Sequence, residues 1–219
     1  MPQPLHDPVA HLVALVRQCE TRVLIGLAGA PGAGKSTLAQ QVSVAVNAAL
    51  GAGSCVALGM DGFHLSKAQL AQMPNPDEAF ARRGAPWTFD APGFRQRVRR
   101  LRSAAGHETV TWPDFAHEIG DPVPDAIAVA ADVRLVLVEG LYVLHQDDGW
   151  HDIDRLFDER WFLDTPFTIS MERLARRHMQ AWGFTRAQAE HRIATSDGIN
   201  ATLVQASALR ADWLVYATT

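Results

Sequence analysis

A chain of 219 residues, 47% of them hydrophobic, suits one domain with a substantial core. A formal net charge of −4, from 20 basic and 24 acidic residues, leaves no electrostatic footprint for nucleic acid. No apolar run approaches the roughly 18 residues of a membrane span, the N-terminus lacks a basic-then-apolar signal pattern, and Cys19 and Cys55 fit free thiols in a reducing cytosol, so a cytoplasmic protein is expected.

Residues 8–19 read as a short helix with Leu12, Val13 and Val16 facing inward. The apolar run at 23–28 then enters Gly29-Ala30-Pro31-Gly32-Ala33-Gly34-Lys35-Ser36, with Thr37 next, a complete G-x-x-x-x-G-K-[ST] phosphate-binding loop. Its glycines let the backbone turn several N–H groups toward a polyphosphate. Lys35 meets the β- and γ-phosphates, and the Ser36 hydroxyl is the usual ligand to a phosphate-bound Mg²⁺. Leu38, Val42, Ala45, Val46 and Ala49 recur at helical spacing until Gly51 and Gly53 stop the helix. Strand, glycine loop and helix aim the helix N-terminus at the phosphates, so the chain is expected to bind a nucleoside triphosphate.

A second strand is expected at 55–60. Residues 64–102, polar and carrying Pro74, Pro76, Pro86 and Pro92, resemble a cap more than part of a sheet. Within it Phe94, Val98 and Leu101 form an apolar stripe, which leaves Arg95, Arg97, Arg99 and Arg100 as a solvated face. Short β-like runs at 109–112 and 126–130 flank a turn-rich stretch and read as an irregular hairpin. Strands at 135–139, 160–163 and 213–216 complete a set of about five. Helices are expected at 169–182, 185–194 and 201–209. The fold expected is α/β, three layers around a central parallel sheet, with a small substrate cap and hairpin and a helical lid. One domain is expected: a core at about 20–63, 131–168 and 196–219, the cap and hairpin at about 64–130, and the lid at about 169–195.

Chemistry should gather at the C-terminal ends of the strands. Asp61 and Glu139 each follow an apolar strand and precede a glycine, so each carboxylate faces the phosphate loop from a neighbouring strand; a helix cap or an arginine pair is the alternative. Phosphoryl transfer asks for such groups, to hold a metal and to orient the acceptor.

The phosphate loop together with Met60-Asp61-Gly62-Phe63-His64, Arg83-Gly84-Ala85-Pro86-Trp87-Thr88-Phe89-Asp90 and Val138-Glu139-Gly140-Leu141 resembles the P-loop kinases of the uridine kinase, phosphoribulokinase and pantothenate kinase group. The similarity is greatest to the small members labelled fructokinase or fructose transport system kinase. It extends from about residue 20 to the C-terminus. The resemblance implies Mg-ATP as phosphoryl donor and a small molecule with a hydroxyl as acceptor, and it allows a homodimer. By it, Asp61 matches the aspartate that receives the acceptor proton, Asp90 an acid that holds sugar hydroxyls, and Glu139 the acid that organises Mg²⁺ through water. His64, Arg83, Asp114 and His117 fall in the segments that match the substrate cap and hairpin, where an ordinary loop histidine or a surface turn is the alternative for His64, Asp114 and His117. Arg173, Arg176 and Arg177 have the look of the kinase lid, with Arg173 and Arg177 expected at the phosphates; a face of surface ion pairs is the alternative.

The polar segment Ser196-Asp197-Gly198-Ile199-Asn200 has no evident task. The absence of an N-K-x-D segment argues against a GTPase. A sugar is the favoured acceptor, then a nucleoside such as uridine, then pantothenate; a P-loop ATPase acting on a protein partner is the reading from another class.

Overall fold

The computed structural model describes residues 1–116 and 118–216. Strand β1 (Gln3–Leu5) and helix α1 (Pro8–Gln18) precede β2 (Val23–Ala28), α2 (Lys35–Leu50) and β3 (Cys55–Gly59). The cap follows as α3 (Lys67–Leu70), α4 (Pro76–Ala81) and α5 (Ala91–Ser103), then the strands β4 (Val110–Ala116) and β5 (Asp121–Val129). After β6 (Leu135–Glu139) and β7 (Glu159–Leu163) come α6 (Phe167–Trp182), α7 (Arg186–Arg192), α8 (Gly198–Ala206) and β8 (Trp213–Val215).

The main sheet has the order β1-β8-β7-β2-β6-β3, all pairs parallel. Its apolar strands are buried on both faces, as a parallel sheet between helices requires. Along β2, Leu24 and Ala28 point into a core shared with α5, whereas Val23, Ile25 and Leu27 point into one shared with α1 and α2. These are the three layers expected. The strand β1 was not legible: only Leu5 of its three residues is buried, and Pro4 is tolerated because β1 lies at the sheet edge.

The cap prolines open helices. Pro76 and Pro92 lie in the first turns of α4 and α5, where a missing N–H costs nothing. The stripe Phe94, Val98 and Leu101 is fully buried. The arginine face differs from expectation. Arg95 donates to the carbonyls of Gly149 and His151, and Arg97 to Thr111 and Asp125, so both are half-buried struts. Only Arg99 and Arg100 stay exposed, the latter paired with Glu108.

The hairpin β4–β5 is longer than its sequence suggested, because Pro113, Pro122 and Pro124 are accommodated in a two-stranded ribbon with a register shift between Trp112 and Asp114. It is seated beside the end of β3. The Trp112 indole donates to Gly59 O at 2.8 Å, and a Cβ on Gly62 would lie 2.3 Å from Pro113 O. At the other side of the core, the wholly buried Asp154 accepts from Arg210 at 2.6 and 3.1 Å and from Gln146 at 3.2 Å, with Arg160 at 3.9 Å.

Candidate active site

The phosphate loop joins the fully buried β2 to α2. Gly32 (φ 77°) and Gly34 (φ 101°) occupy the left-handed region that side chains resist. A Cβ on Gly32 would lie 2.2 Å from Ser170 O, so the lid helix α6 rests directly on the loop. Thr165 fastens the segment before α6, its hydroxyl donating to Ala33 O at 3.1 Å.

Lys35 is buried and donates to Ala30 O at 3.1 Å. Burial holds its ammonium below the ordinary lysine range; Glu139 and Asp61 oppose that shift and Arg177 adds to it. The Ser36 hydroxyl donates to Glu139 Oε1 at 2.7 Å. Glu139 ends β6 in register with Leu27 of β2 and Gly59 of β3, between the loop strand and the strand leading to Asp61. Burial raises its carboxyl above the ordinary range; Lys35 and the Ser36 hydrogen bond oppose this, and Asp61 reinforces it. Asp61 itself is exposed, in a 3-10 turn directly after β3. Lys35, Ser36, Glu139 and Asp61 thus form one electrostatically coupled set.

Among the described residues, no three His, Cys, Asp or Glu side chains converge as a metal site. The donors present fit Mg²⁺ shared with phosphates, which needs only a hydroxyl and one carboxylate from the protein. Ser36 and Glu139 supply that pair in mutual contact.

The acceptor side is more varied. His64 Nδ1 lies 2.8 Å from Asp61 O, and since a carbonyl only accepts, that nitrogen carries the proton. The His64 ring lies 4.0 Å from Phe89 and 4.8 Å from Phe115 between centroids, an aromatic wall next to Asp61. Asp90 caps α5, its Oδ1 accepting from Gly93 N at 2.9 Å, and its exposed position leaves the carboxylate open to solvent. Arg83 donates to Gly120 O at 2.5 Å, to Asp121 at 2.9 Å and to Leu65 O at 3.0 Å, and sits 5.5 Å above the Phe115 ring. Its guanidinium is therefore engaged in tying hairpin to cap. Asp114 is exposed on β4 and accepts from the neighbouring Phe115 N. His117 lies outside the described residues.

On α6, Arg173 donates to Ala33 O at 3.3 Å, and the Arg177 charge acts on Lys35. Arg176 instead pairs with Glu172 at 2.9 Å, which also binds Arg186. All three lid arginines are exposed, and of the three Arg173 is the one bonded to the loop. Tyr142 was not anticipated. It is fully buried, its hydroxyl donates to Gly84 O at 2.6 Å, and burial pushes its ionisation far above the ordinary tyrosine range. No helix among the described residues is long and apolar enough to cross a membrane.

Residues 24–213 match the model of the phosphoribulokinase / uridine kinase family. A Schizosaccharomyces pombe protein provisionally named a uridine kinase is 39% identical over 194 residues, 88% of this chain and 82% of its own length. The uncharacterised YggC protein of Escherichia coli K12 is 32% identical over 217 residues, 98% of this chain and 86% of its own. A Silicibacter sp. TM1040 structure, described provisionally as a fructose transport system kinase, has a TM-score of 0.80 at 31% identity, over 93% of this chain and 98% of that one. Saccharomyces cerevisiae YFH7 shares the fold, with a TM-score of 0.82 at 20% identity over 97% of this chain and 99% of that one.

Proposed function

The chain belongs to the phosphoribulokinase / uridine kinase family, a family of ATP-dependent P-loop kinases of small metabolites, and on that premise we propose that it phosphorylates a hydroxyl of a sugar or sugar-like acceptor. The observation that carries the proposal is the coupled set of Lys35, Ser36, Glu139 and Asp61. It supplies phosphate charge, metal ligands and a carboxylate for the acceptor at the C-terminal ends of neighbouring strands.

In this reading the loop amides and Lys35 hold the β- and γ-phosphates of ATP. Ser36 and Glu139 would hold Mg²⁺, and the ion when bound would neutralise phosphate charge. Asp61 accepts a hydrogen bond from the acceptor hydroxyl and aims its oxygen at the γ-phosphorus. The new P–O bond forms as the bond to the β–γ bridging oxygen breaks. The hydroxyl proton passes to Asp61, and ADP leaves with the electron pair. Arg173 and Arg177 offset the charge on the transferring group, and α6 over the loop keeps water from competing. Asp90 and Asp114 offer the acceptor carboxylate oxygens, which suit neutral polyols.

Sugar is favoured by those carboxylates and by the likeness to the Silicibacter protein. A nucleoside is the second reading, favoured by the wall of His64, Phe89 and Phe115, against which a planar base could stack. A screen of ATP consumption with sugars, nucleosides and pantothenate tests the proposal. Turnover with a sugar is the expected result; turnover with uridine alone would transfer the reading to nucleosides, and none at all would overturn the kinase reading.

The raised Glu139 carboxyl gives a pH prediction. Metal binding needs the carboxylate, so Mg-ADP binding should release a proton wherever Glu139 is still protonated in the free protein. Affinity is therefore expected to rise with pH, by up to about tenfold per unit, through the raised range and to level off above it. Calorimetry in two buffers of different ionisation enthalpy measures the proton count, and Glu139→Gln should remove it. A pH-independent affinity in the unaltered protein contradicts the assignment.

A further inference from the structure

The stretch from Arg192 to Asn200 runs from the last residue of α7 through a π-helical turn at Ile193–Asp197 into α8. Two of its polar side chains, Arg192 and Asn200, reach the cap. Arg192 Nη1 donates to Ala81 O at 2.7 Å and Nη2 to Arg83 O at 2.9 Å. Asn200, 1% exposed, donates to Gly84 O at 3.0 Å and accepts from Arg82 at 3.4 Å. Ala81 closes α4, so its carbonyl is one a helix end leaves without an internal partner, and Arg83 and Gly84 follow just beyond the helix. The Arg192 fork holds the Ala81 and Arg83 carbonyls at once.

The same stretch is bonded to the lid helix. Asp197 Oδ2 accepts from His178 Nε2 at 2.8 Å and lies 3.7 Å from Arg192 Nε. His178 is 2% exposed and immediately follows Arg177 on α6. On the far side, Arg83 continues the connection to Asp121 and Gly120 at the hairpin turn. Hydrogen bonds, with one ion pair of 3.7 Å between Asp197 and Arg192, thus connect the helix carrying Arg173 and Arg177 to cap and hairpin.

We infer that Arg192, Asp197 and Asn200 are positioning residues that couple the lid over the phosphate loop to the acceptor cap, so that nucleotide binding sets the acceptor site. The described hydrogen bonds and ion pairs of the three do not include the phosphate loop: Arg192 and Asn200 act through the cap carbonyls they hold, and Asp197 through His178 and Arg192. Hydrogen-bond and salt-bridge networks between rigid elements carry such coupling when the joined elements have two arrangements and both sites bias the balance between them. The inference rests on the nucleotide reading of the loop.

Hydrogen exchange with Mg²⁺ and the non-hydrolysable AMP-PNP tests it in the full chain, without need of the acceptor. In the unaltered protein AMP-PNP should slow exchange both in the lid, 167–182, and in the cap, 81–88. In Arg192→Met the lid protection should stay within about twofold while the nucleotide-dependent protection of the cap falls at least about fivefold. Asn200→Asp, nearly isosteric but presenting an oxygen to Gly84 O, should do the same. A purely structural role would instead speed cap exchange equally with and without nucleotide, leaving their ratio unchanged, and that result overturns the inference. Protection confined to the lid in the unaltered protein also overturns it. No protection anywhere overturns the nucleotide reading, and the coupling with it.

Discussion

Asp61→Asn is expected to lower phosphoryl transfer about 10²–10⁴-fold while leaving Mg-ADP affinity unchanged or slightly tighter. The amide keeps the shape of the side chain but cannot take the acceptor proton, so the loss falls on kcat. Binding should not suffer, because the proposed function assigns Asp61 to the acceptor and not to the nucleotide. Its charge supports the Lys35 ammonium but opposes ionisation of Glu139, so its removal has compensating effects on the two groups nearest the nucleotide. The measurement is steady-state turnover with the acceptor found in the screen, beside calorimetry with Mg-ADP. Lys35→Ala supplies the contrast, since it should damage nucleotide binding itself. If Asp61→Asn leaves ATP turnover intact while Lys35→Ala abolishes it, the protein hydrolyses ATP for some other purpose, and the cap is a surface for a partner.

The second large effect concerns stability, far from the phosphates. Asp154 is wholly buried, and Arg210, Gln146 and Arg160 converge on it from three separate segments. Asp154→Ala is expected to cost about 3 kcal/mol, the lower end for breaking a buried ion pair. The lower end applies because Arg210 and Arg160 are about a third exposed and can turn toward water. For a chain of this size that is a fall of roughly 6–12 °C in Tm. Arg210→Met should cost at least as much, because it leaves a carboxylate with no exposure facing Arg160 only at 3.9 Å. Calorimetric unfolding decides; a loss below about 1 kcal/mol in both variants would mean that the pair contributes no more than a surface bridge.

The legible parts of this protein are those whose signals lie close together in the chain. The phosphate loop needs only local glycine spacing. Asp61 and Glu139 could be placed because each closes a continuous apolar run, and a parallel sheet gathers the ends of such runs on one side. The role of Asp90 as a helix cap is written in Asp90-Ala91-Pro92-Gly93, a local pattern overshadowed by the resemblance that pointed to the acceptor. Helical periodicity put Arg173, Arg176 and Arg177 near one another but could not say which side of α6 meets the loop. Tyr142, Thr165 and Arg192 left no signal at all, and Asn200 showed only as part of a polar segment without an evident task. Each donates to a backbone carbonyl distant in sequence, and since every residue has a carbonyl, no side-chain motif marks the partner. The hairpin length was hidden for the opposite reason: its prolines are strong breakers in most strands and harmless in a two-stranded ribbon.

The seating of the hairpin has a consequence for how new acceptors arise. Its two anchors, the Trp112 indole on Gly59 and the Pro113 backbone against Gly62, fall on either side of Asp61 in the chain. The ribbon and the proposed general base therefore share one foundation. On the proposed function, substitutions around the turn would change which small molecule is accepted without disturbing the residue assigned the chemistry. A lineage, or a protein engineer, would then exchange specificity there and inherit the proposed reaction centre intact.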